Sequence, residues 1–327
     1  MVDSHKRRID YLRISVTDRC NLRCLYCMPA EGLELAEHSS ILRYEELLRI
    51  ARTAVAHGVT RIRITGGEPL VRQGIVDFIG SLSGLDGLED LSLTTNGVLL
   101  GGYARRLREA GLTRVNVSLD SLRRERFHRI TRGDHLDRVL QGLETALAEG
   151  LSPVKVNVVV IKGFNDDEVR DFALLTRRHP YHVRFIEYMP FEVEARWERD
   201  KCVTTAELME TISAVEPLEP VEDGGRRTGP ARRYRFRGAP GEVGFISPVS
   251  DHFCGTCNRL RLTADGKLRT CLFSDEELDL RRVLRGGAGD EEIARLLFHA
   301  VRTKPAGHNI NDNIFKKCSR TMSLIGG

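Results

Sequence analysis

The chain reads as an α/β protein, a parallel sheet forming a partial (β/α)6 TIM-like barrel followed by a smaller C-terminal α+β lobe. Three observations predict this. Strand-like and helix-like segments alternate over residues 12–188, one alternating set of strand residues is polar, and the pattern breaks after about residue 190. A chain of 327 residues, 41% hydrophobic, can bury a core of that size.

Strands are expected over residues 12–16, 61–65, 90–94, 114–119, 154–161 and 183–188. Between them, 44–57, 75–82, 103–110, 136–149 and 168–178 carry apolar residues at three- and four-residue spacing, the period of an amphipathic helix. Strands that alternate with helices imply a parallel sheet, although periodicity alone leaves a doubly wound open sheet as a competing topology. Farther on, Thr204 and Glu207 have capping-box spacing and start a helix, and a Gly-, Pro- and Arg-rich stretch at 222–230 interrupts regular structure. Strands are expected at 234–237 and 243–246, then helices at 275–284 and 291–301, the first with Ser274 and Glu277 at cap spacing. The domain boundary is placed between residues 195 and 196.

The polar set comprises Arg13, Ser15 and Thr17; Arg61, Arg63 and Thr65; Ser92, Thr94 and Asn96; Asn116, Ser118 and Asp120; Lys155 and Asn157; and Arg184. The opposite set is mostly Leu, Ile and Val, suited to packing under helices. Alternate residues point into a barrel, and a purely structural barrel core is filled by branched apolar side chains. A hollow, positively lined interior that holds an anionic ligand is therefore expected. An open sheet with one wet face competes, against the tendency of parallel sheets to be covered on both faces.

Fifty basic residues against 46 acidic ones leave a formal charge of +4, too mild to indicate nucleic-acid binding. No stretch approaches the ~18 apolar residues of a membrane span, and the opening MVDSHKRRID carries no apolar signal core, so a cytoplasmic location is expected. Eight cysteines are then free thiols rather than a disulfide framework. Six of them form two tight groups, which points to metal.

Cys20, Cys24 and Cys27 lie just after the first strand, at the end where parallel barrels build active sites. Three closely spaced thiolates suit an iron–sulfur cluster with one iron left open, and zinc, with His38 as a fourth ligand, competes. Gly66-Gly67-Glu68-Pro69, Thr94-Thr95-Asn96-Gly97 and Ser118-Leu119-Asp120 stand at the next three strand ends. Two glycines allow a ligand close to the backbone, and Glu68 can accept from an amino group. Cys-x3-Cys-x2-Cys with Tyr26 before the last cysteine resembles the signature of the radical S-adenosylmethionine superfamily. The resemblance implies that the open iron is chelated by the methionine part of S-adenosylmethionine, whose sulfonium is cleaved to a 5′-deoxyadenosyl radical. It also implies cosubstrate contacts at Tyr26, Gly67, Glu68, Thr94 and Ser118.

Cys254-x2-Cys257-x13-Cys271 by itself could be a zinc ribbon lacking one ligand, with His252 available. Arg259 and Arg261 alternate, so a strand presents both to one side; a solvated face is the ordinary use of such a pair, and phosphate or base contact is expected here. The segment FCGTCNRLRL at 253–262, with Arg269-Thr270-Cys271-Leu272, resembles the C-terminal cluster segment of the GTP 3′,8-cyclase family of molybdenum cofactor biosynthesis. The resemblance runs from Leu12 to Gly327 and implies two 4Fe-4S clusters, the second taking the purine of GTP at its open iron. It implies that Arg13, Arg63, Lys155, Asn157 and Arg184 surround the triphosphate and ribose, a task guanidinium groups perform through bidentate bonds. The Gly326-Gly327 end, otherwise a frayed terminus, is implied to reach into the active site.

Residues 190–197, PFEVEARW, depart from the family by lacking glycines after Met189, and Cys202 and Cys318 match no ligand role. The implied reaction converts GTP to (8S)-3′,8-cyclo-7,8-dihydroguanosine 5′-triphosphate. The implied partners are a one-electron reductant, a downstream cyclic pyranopterin monophosphate synthase and a second copy in a homodimer, with neither membrane nor nucleic acid. Two rivals stand: a radical enzyme that modifies a peptide, and a zinc-stabilised nucleic-acid-binding module.

Overall fold

The computed structural model describes residues 1–189, 199–222, 229–308 and 318–326. The departure at 190–197 and the terminal Gly327 lie outside the described residues. Strand β1 (Tyr11–Ser15) leads to α1 (Tyr44–Ala56), β2 (Arg61–Thr65) to α2 (Ile75–Ser83), and β3 (Asp90–Thr95) to α3 (Leu100–Glu109). Then β4 (Arg114–Ser118) leads to α4 (Arg124–Thr131) and α5 (Leu136–Ala148), and β5 (Val154–Val160) to α6 (Val169–Arg178), before β6 (His182–Glu187). The remainder comprises α7 (Thr205–Ser213), β7 (Leu218–Pro220), β8 (Arg232–Phe236), β9 (Glu242–Ile246), β10 (Arg259–Leu262), β11 (Lys267–Arg269), β12 (Leu278–Asp279), α8 (Leu280–Arg285), α9 (Asp290–Arg302) and α10 (Met322–Ile325).

Among the described residues twelve strands join one open mixed sheet in the order β12-β11-β10-β1-β2-β3-β4-β5-β6-β9-β8-β7. The run from β10 through β1 to β6 and on to β9 is parallel, and an antiparallel hairpin finishes each side. Strands expected in a separate lobe thus continue the first sheet at both edges. The reason lies in their alternation: Leu260 and Leu262 extend the apolar face of Leu12 and Ile14, which puts Arg261 beside Arg13 and Arg13 beside Arg63. The apolar set of the parallel strands, such as Ile62, Ile64, Val115, Val117, Val156 and Phe185, is buried in one continuous core with the helices, while Leu218, Tyr234 and Leu278 of the outer strands pack partly buried against it. Among the described residues no helix is long and apolar enough to cross a membrane.

Two local features depart from expectation. Thr204 caps α7 through the predicted box, accepting from Glu207 N while Glu207 accepts from Thr204 N at 2.7 Å. The helix expected from residue 275, however, begins only at Leu280, capped by Asp279. Glu277 is drawn away by Arg269 and Arg320, so residues 278–279 pair with β11 instead of opening a helix turn. Helix α4 carries few apolar residues, Phe127 and Ile130 among them, a stripe too thin to read from sequence.

Candidate active site

The two cysteine groups, far apart in sequence, line one cavity of about 310 Å³ at the C-terminal ends of the parallel strands. The first group sits in the loop after β1. Leu22 N and Asn96 Nδ2 both point at Cys20 Sγ, and Cys27 N donates to Cys24 O. Helix α4 supports this loop: Arg23 N and Leu25 N donate to Thr131 O and Ile130 O, and Arg132 just beyond reaches Arg23 O and Met28 O. Burial pushes the Cys20, Cys24 and Cys27 thiols up, and neighbouring carboxylates and thiols add to it.

The glycine pair serves the same loop. Gly67 N donates to Thr17 O and Glu68 N to Arg19 O, both at 2.8 Å, and a Cβ on Gly67 would run into the backbone of Arg19. Only glycine permits this approach. Glu68 stands just behind Gly67 and is not among the residues that line the cavity. It is fully buried and accepts from Leu70 N, Thr95 Oγ1 and Asn96 N, tying the turn after β2 to the end of β3. Two of these bonds fall on Oε1 and one on Oε2. Burial nevertheless pushes its carboxyl up to about 7, against those bonds.

Tyr26, Gly67, Thr94 and Ser118 do line the cavity. The Tyr26 hydroxyl donates to Asp120, whose other oxygen accepts from Val159 N at 2.8 Å; burial raises Asp120 to about 6. Asp120 is the sole carboxylate among the described lining residues, and the sequence offers it, within the strand-end segment Ser118-Leu119-Asp120, as a carboxylate partner for the cosubstrate's adenosyl group. A strand-end Asp following a Ser was the available signal.

Arg13, Arg63, Asn157, Arg259 and Arg261 also line the cavity. Lys155 and Arg184 are not among its lining residues; both are buried, and Arg63 and Arg114 add to their desolvation. Lys155 lies one side-chain layer nearer the strand start than Asn157, whereas Arg184 is level with Asn157. Burial and these like charges hold Lys155 down to about 5 and Arg184 to about 9. Thr94 Oγ1, Asn157 Oδ1, Arg63 Nε and Arg261 Nη1 are buried with no hydrogen-bond partner. Since buried polar groups are nearly always bonded, these atoms fit a polar ligand that completes them.

In the second group, Cys254 and Cys257 flank a short turn and Cys271 follows β11. Burial pushes the Cys257 thiol up, but Arg259 and Lys304 outweigh it and bring it down to about 6. Arg259 also stacks over Phe253 at 4.8 Å. His308, beside Phe273, lines the cavity, whereas His38 and His252 do not. Among the described residues no three His, Cys, Asp or Glu side chains converge tightly enough to hold one metal ion. Each triad instead offers three thiols to a shared cavity, the soft donor set that iron–sulfur clusters require.

The C-terminal tail closes the cavity. Met322 and Ser323 line it, and Gly326, at φ +84°, receives a hydrogen bond on its carbonyl from Thr65 Oγ1 at 2.9 Å. A Cβ there would lie 2.7 Å from both Ser15 Cβ and Thr65 Oγ1.

A model of the Radical SAM superfamily matches residues 14–176, and one of Molybdenum Cofactor Synthesis C matches residues 181–310. The GTP 3′,8-cyclase of Moorella thermoacetica is 52% identical over 327 residues, and that of Heliobacterium modesticaldum 53% over 329, each alignment covering all of both chains. The crystal structure of Streptococcus suis SuiB superposes with a TM-score of 0.61 at 16% identity, covering 82% of this chain and 62% of that one, a likeness of fold. With half of its residues shared along their full length, this chain belongs to the GTP 3′,8-cyclase family of radical S-adenosylmethionine enzymes.

Proposed function

We infer that this chain converts GTP to (8S)-3′,8-cyclo-7,8-dihydroguanosine 5′-triphosphate, using S-adenosylmethionine and two 4Fe-4S clusters, at the head of molybdenum cofactor biosynthesis. The observation that carries the reading is the single cavity that brings together two cysteine triads and four arginines. Cys20, Cys24 and Cys27 would hold one cluster, and Cys254, Cys257 and Cys271 the other. When bound, the first cluster and S-adenosylmethionine would supply the carbon radical that takes the ribose C3′ hydrogen; C3′ would then add to C8 as the C8=N7 π bond opens, and one electron from the reductant and one proton taken up at N7 would complete the 7,8-dihydro product.

The protein's own contribution is positioning. Arg13, Arg63, Arg259 and Arg261 hold the triphosphate by charge-assisted bonds, so that binding energy gathered far from the reacting carbon fixes where that carbon lies. Tyr26, Gly67, Thr94, Ser118 and Asp120 face the cosubstrate. Arg184 acts through the field of its charge, and Lys155, neutral in the free protein, gains its charge as the triphosphate binds. The tail, anchored by Gly326 on Thr65, keeps bulk water from the radical.

A curved sheet of the partial (β/α)6 barrel kind is supported by the charges. Arg63 on β2 and Arg184 on β6 act on each other, whereas a flat sheet with strands about 4.8 Å apart would hold them ~19 Å apart. A one-electron reductant must feed the first cluster, and a cyclic pyranopterin monophosphate synthase consumes the product; a homodimer follows the family resemblance. The test is anaerobic reconstitution with GTP, S-adenosylmethionine and dithionite, with products read by mass spectrometry. GTP-dependent 5′-deoxyadenosine together with an isomer of GTP is expected. Deoxyadenosine with GTP untouched would sink the substrate assignment and favour a peptide-modifying enzyme.

A further inference from the structure

The N-terminal arm builds part of the second cysteine site. Residues 2–8 fold into a clip in which Asp3 Oδ1 accepts from His5 N and Arg7 N, at 2.9 and 2.8 Å, and Val2 bridges Arg8. Asp3 Oδ2 accepts from Arg7 Nε at 2.6 Å. This pins one edge of a buried guanidinium. Its other donors leave the arm altogether: Nη1 reaches Cys254 O at 2.8 Å and Ala306 O at 3.0 Å, and Nη2 reaches Pro305 O at 2.7 Å and Lys304 O at 3.5 Å. The five N–H groups of one arginine thus meet five acceptors, a fork no other side chain offers.

The segment held by Arg7 closes over the cysteines in turn. Lys304, also buried, donates from Nζ to Arg259 O at 3.0 Å and to Thr270 O. The His308 N–H points at Cys254 Sγ, and Gly307 lies against the same side chain. Backbone at or next to each cysteine of the group is therefore gripped by a buried cation from another part of the chain: at Cys254 itself, two residues past Cys257, and one before Cys271.

We propose that Arg7, with Lys304, is a positioning residue for the second iron–sulfur cluster, holding the Cys254 turn and the 304–308 strap at the spacing the cluster needs. This rests on reading Cys254, Cys257 and Cys271 as cluster ligands. Groups that orient ligands change metal affinity by about 10- to 100-fold, and charges and N–H groups near the sulfurs set the potential. Removing Arg7 leaves several carbonyls without a donor around a loop that must keep its thiolates in place.

The test compares full-length Arg7→Ala, Arg7→Lys, Lys304→Met and Cys257→Ser proteins, reconstituted anaerobically, by iron and sulfide content and by electron paramagnetic resonance with a redox titration. Wild type should carry about eight irons per chain, and R7A about four, with the first cluster's signal and GTP-independent cleavage of S-adenosylmethionine retained. R7K keeps the charge but has three donors for five acceptors, so it should recover iron only in part and shift the second cluster's potential. K304M should shift the same potential. The retained first-cluster signal reports that the chain has folded. If R7A holds about eight irons with an unshifted second potential while C257S falls to about four, the proposal fails and the cluster reading stands. If C257S itself keeps about eight, both fail. Equal loss of both clusters in R7A would overturn a role specific to the second site.

Discussion

The two cysteine triads offer the same atoms in opposite electrostatic surroundings. The first is buried beside Glu68 and Asp120, its thiols all pushed up. The second stands among Arg7, Arg259, Arg261 and Lys304, and although burial still pushes Cys254 up, these cations pull Cys257 down to about 6 against its burial. On the proposed reading each setting matches its ligand. A sulfonium is a cation and meets the side with carboxylates; a nucleoside triphosphate is a polyanion and meets the side with arginines. One cavity with a charge gradient can thus seat two charged molecules in a fixed orientation, because each is repelled from the other's place.

The sharpest way to break this comparison is to disable one triad at a time. Cys24→Ser should abolish 5′-deoxyadenosine formation altogether, whereas Cys257→Ser should keep GTP-free cleavage of S-adenosylmethionine and lose the GTP-derived product; identical phenotypes would end the division of labour. Arg261→Ala comes next. Losing a charge-assisted bond of about 1.5–3 kcal/mol should weaken GTP binding roughly 10- to 150-fold in equilibrium dialysis while leaving S-adenosylmethionine binding unchanged. Asp120→Asn should do the reverse, weakening the cosubstrate by up to about tenfold and sparing GTP.

A smaller effect concerns protons. Burial and the neighbouring Arg184, Arg114 and Arg63 hold Lys155 at about 5, so it is neutral at pH 7 in the free protein. A triphosphate above it favours the ammonium form and raises that value, so binding takes up a proton. This contribution to affinity is complete below pH 5 and declines as pH rises toward the bound-state value, by at most about tenfold per pH unit. Calorimetry in buffers of different protonation enthalpy should find the uptake at pH 7 and lose it in Lys155→Met. The smallest effect is a control away from both sites: Asp279→Ala removes the cap of α8, costs about 1 kcal/mol in thermal unfolding and should leave both ligand affinities alone.

Much of the first triad's side was legible in the sequence because its determinants are local. The Cys loop, the glycine pair and the polar strand ends follow one another within each βα unit, and two-residue alternation alone picks out Arg13, Arg63 and Asn157. Depth was not legible. Lys155 shares the alternation yet sits one layer below Asn157, and Arg184, level with Asn157, is buried away from the lining, since periodicity gives the face of a strand and not the depth at which a side chain meets a ligand. Glu68 has the right chemistry for a cosubstrate, but its bonds to Leu70, Thr95 and Asn96 depend on how the β2 and β3 turns meet. The second triad's supports come from the far ends of the chain, and no local pattern joins Arg7 to Cys254.

The pairing of β1 with β10 has a consequence for how the molecule is made. Arg13 lies opposite Arg261, so one edge of the first strand synthesised must wait for a partner near the other end of the chain. A ribosome must translate most of the message before that edge is covered, and exposed strand edges recruit other chains. The second triad, the strap that Arg7 grips and the tail that seats Gly326 are later still. Iron loaded onto the first triad of a growing chain would therefore sit in a cavity without its far wall, open to water and oxygen. The cavity has all its walls only once the C-terminal strands, the strap and the tail are in place.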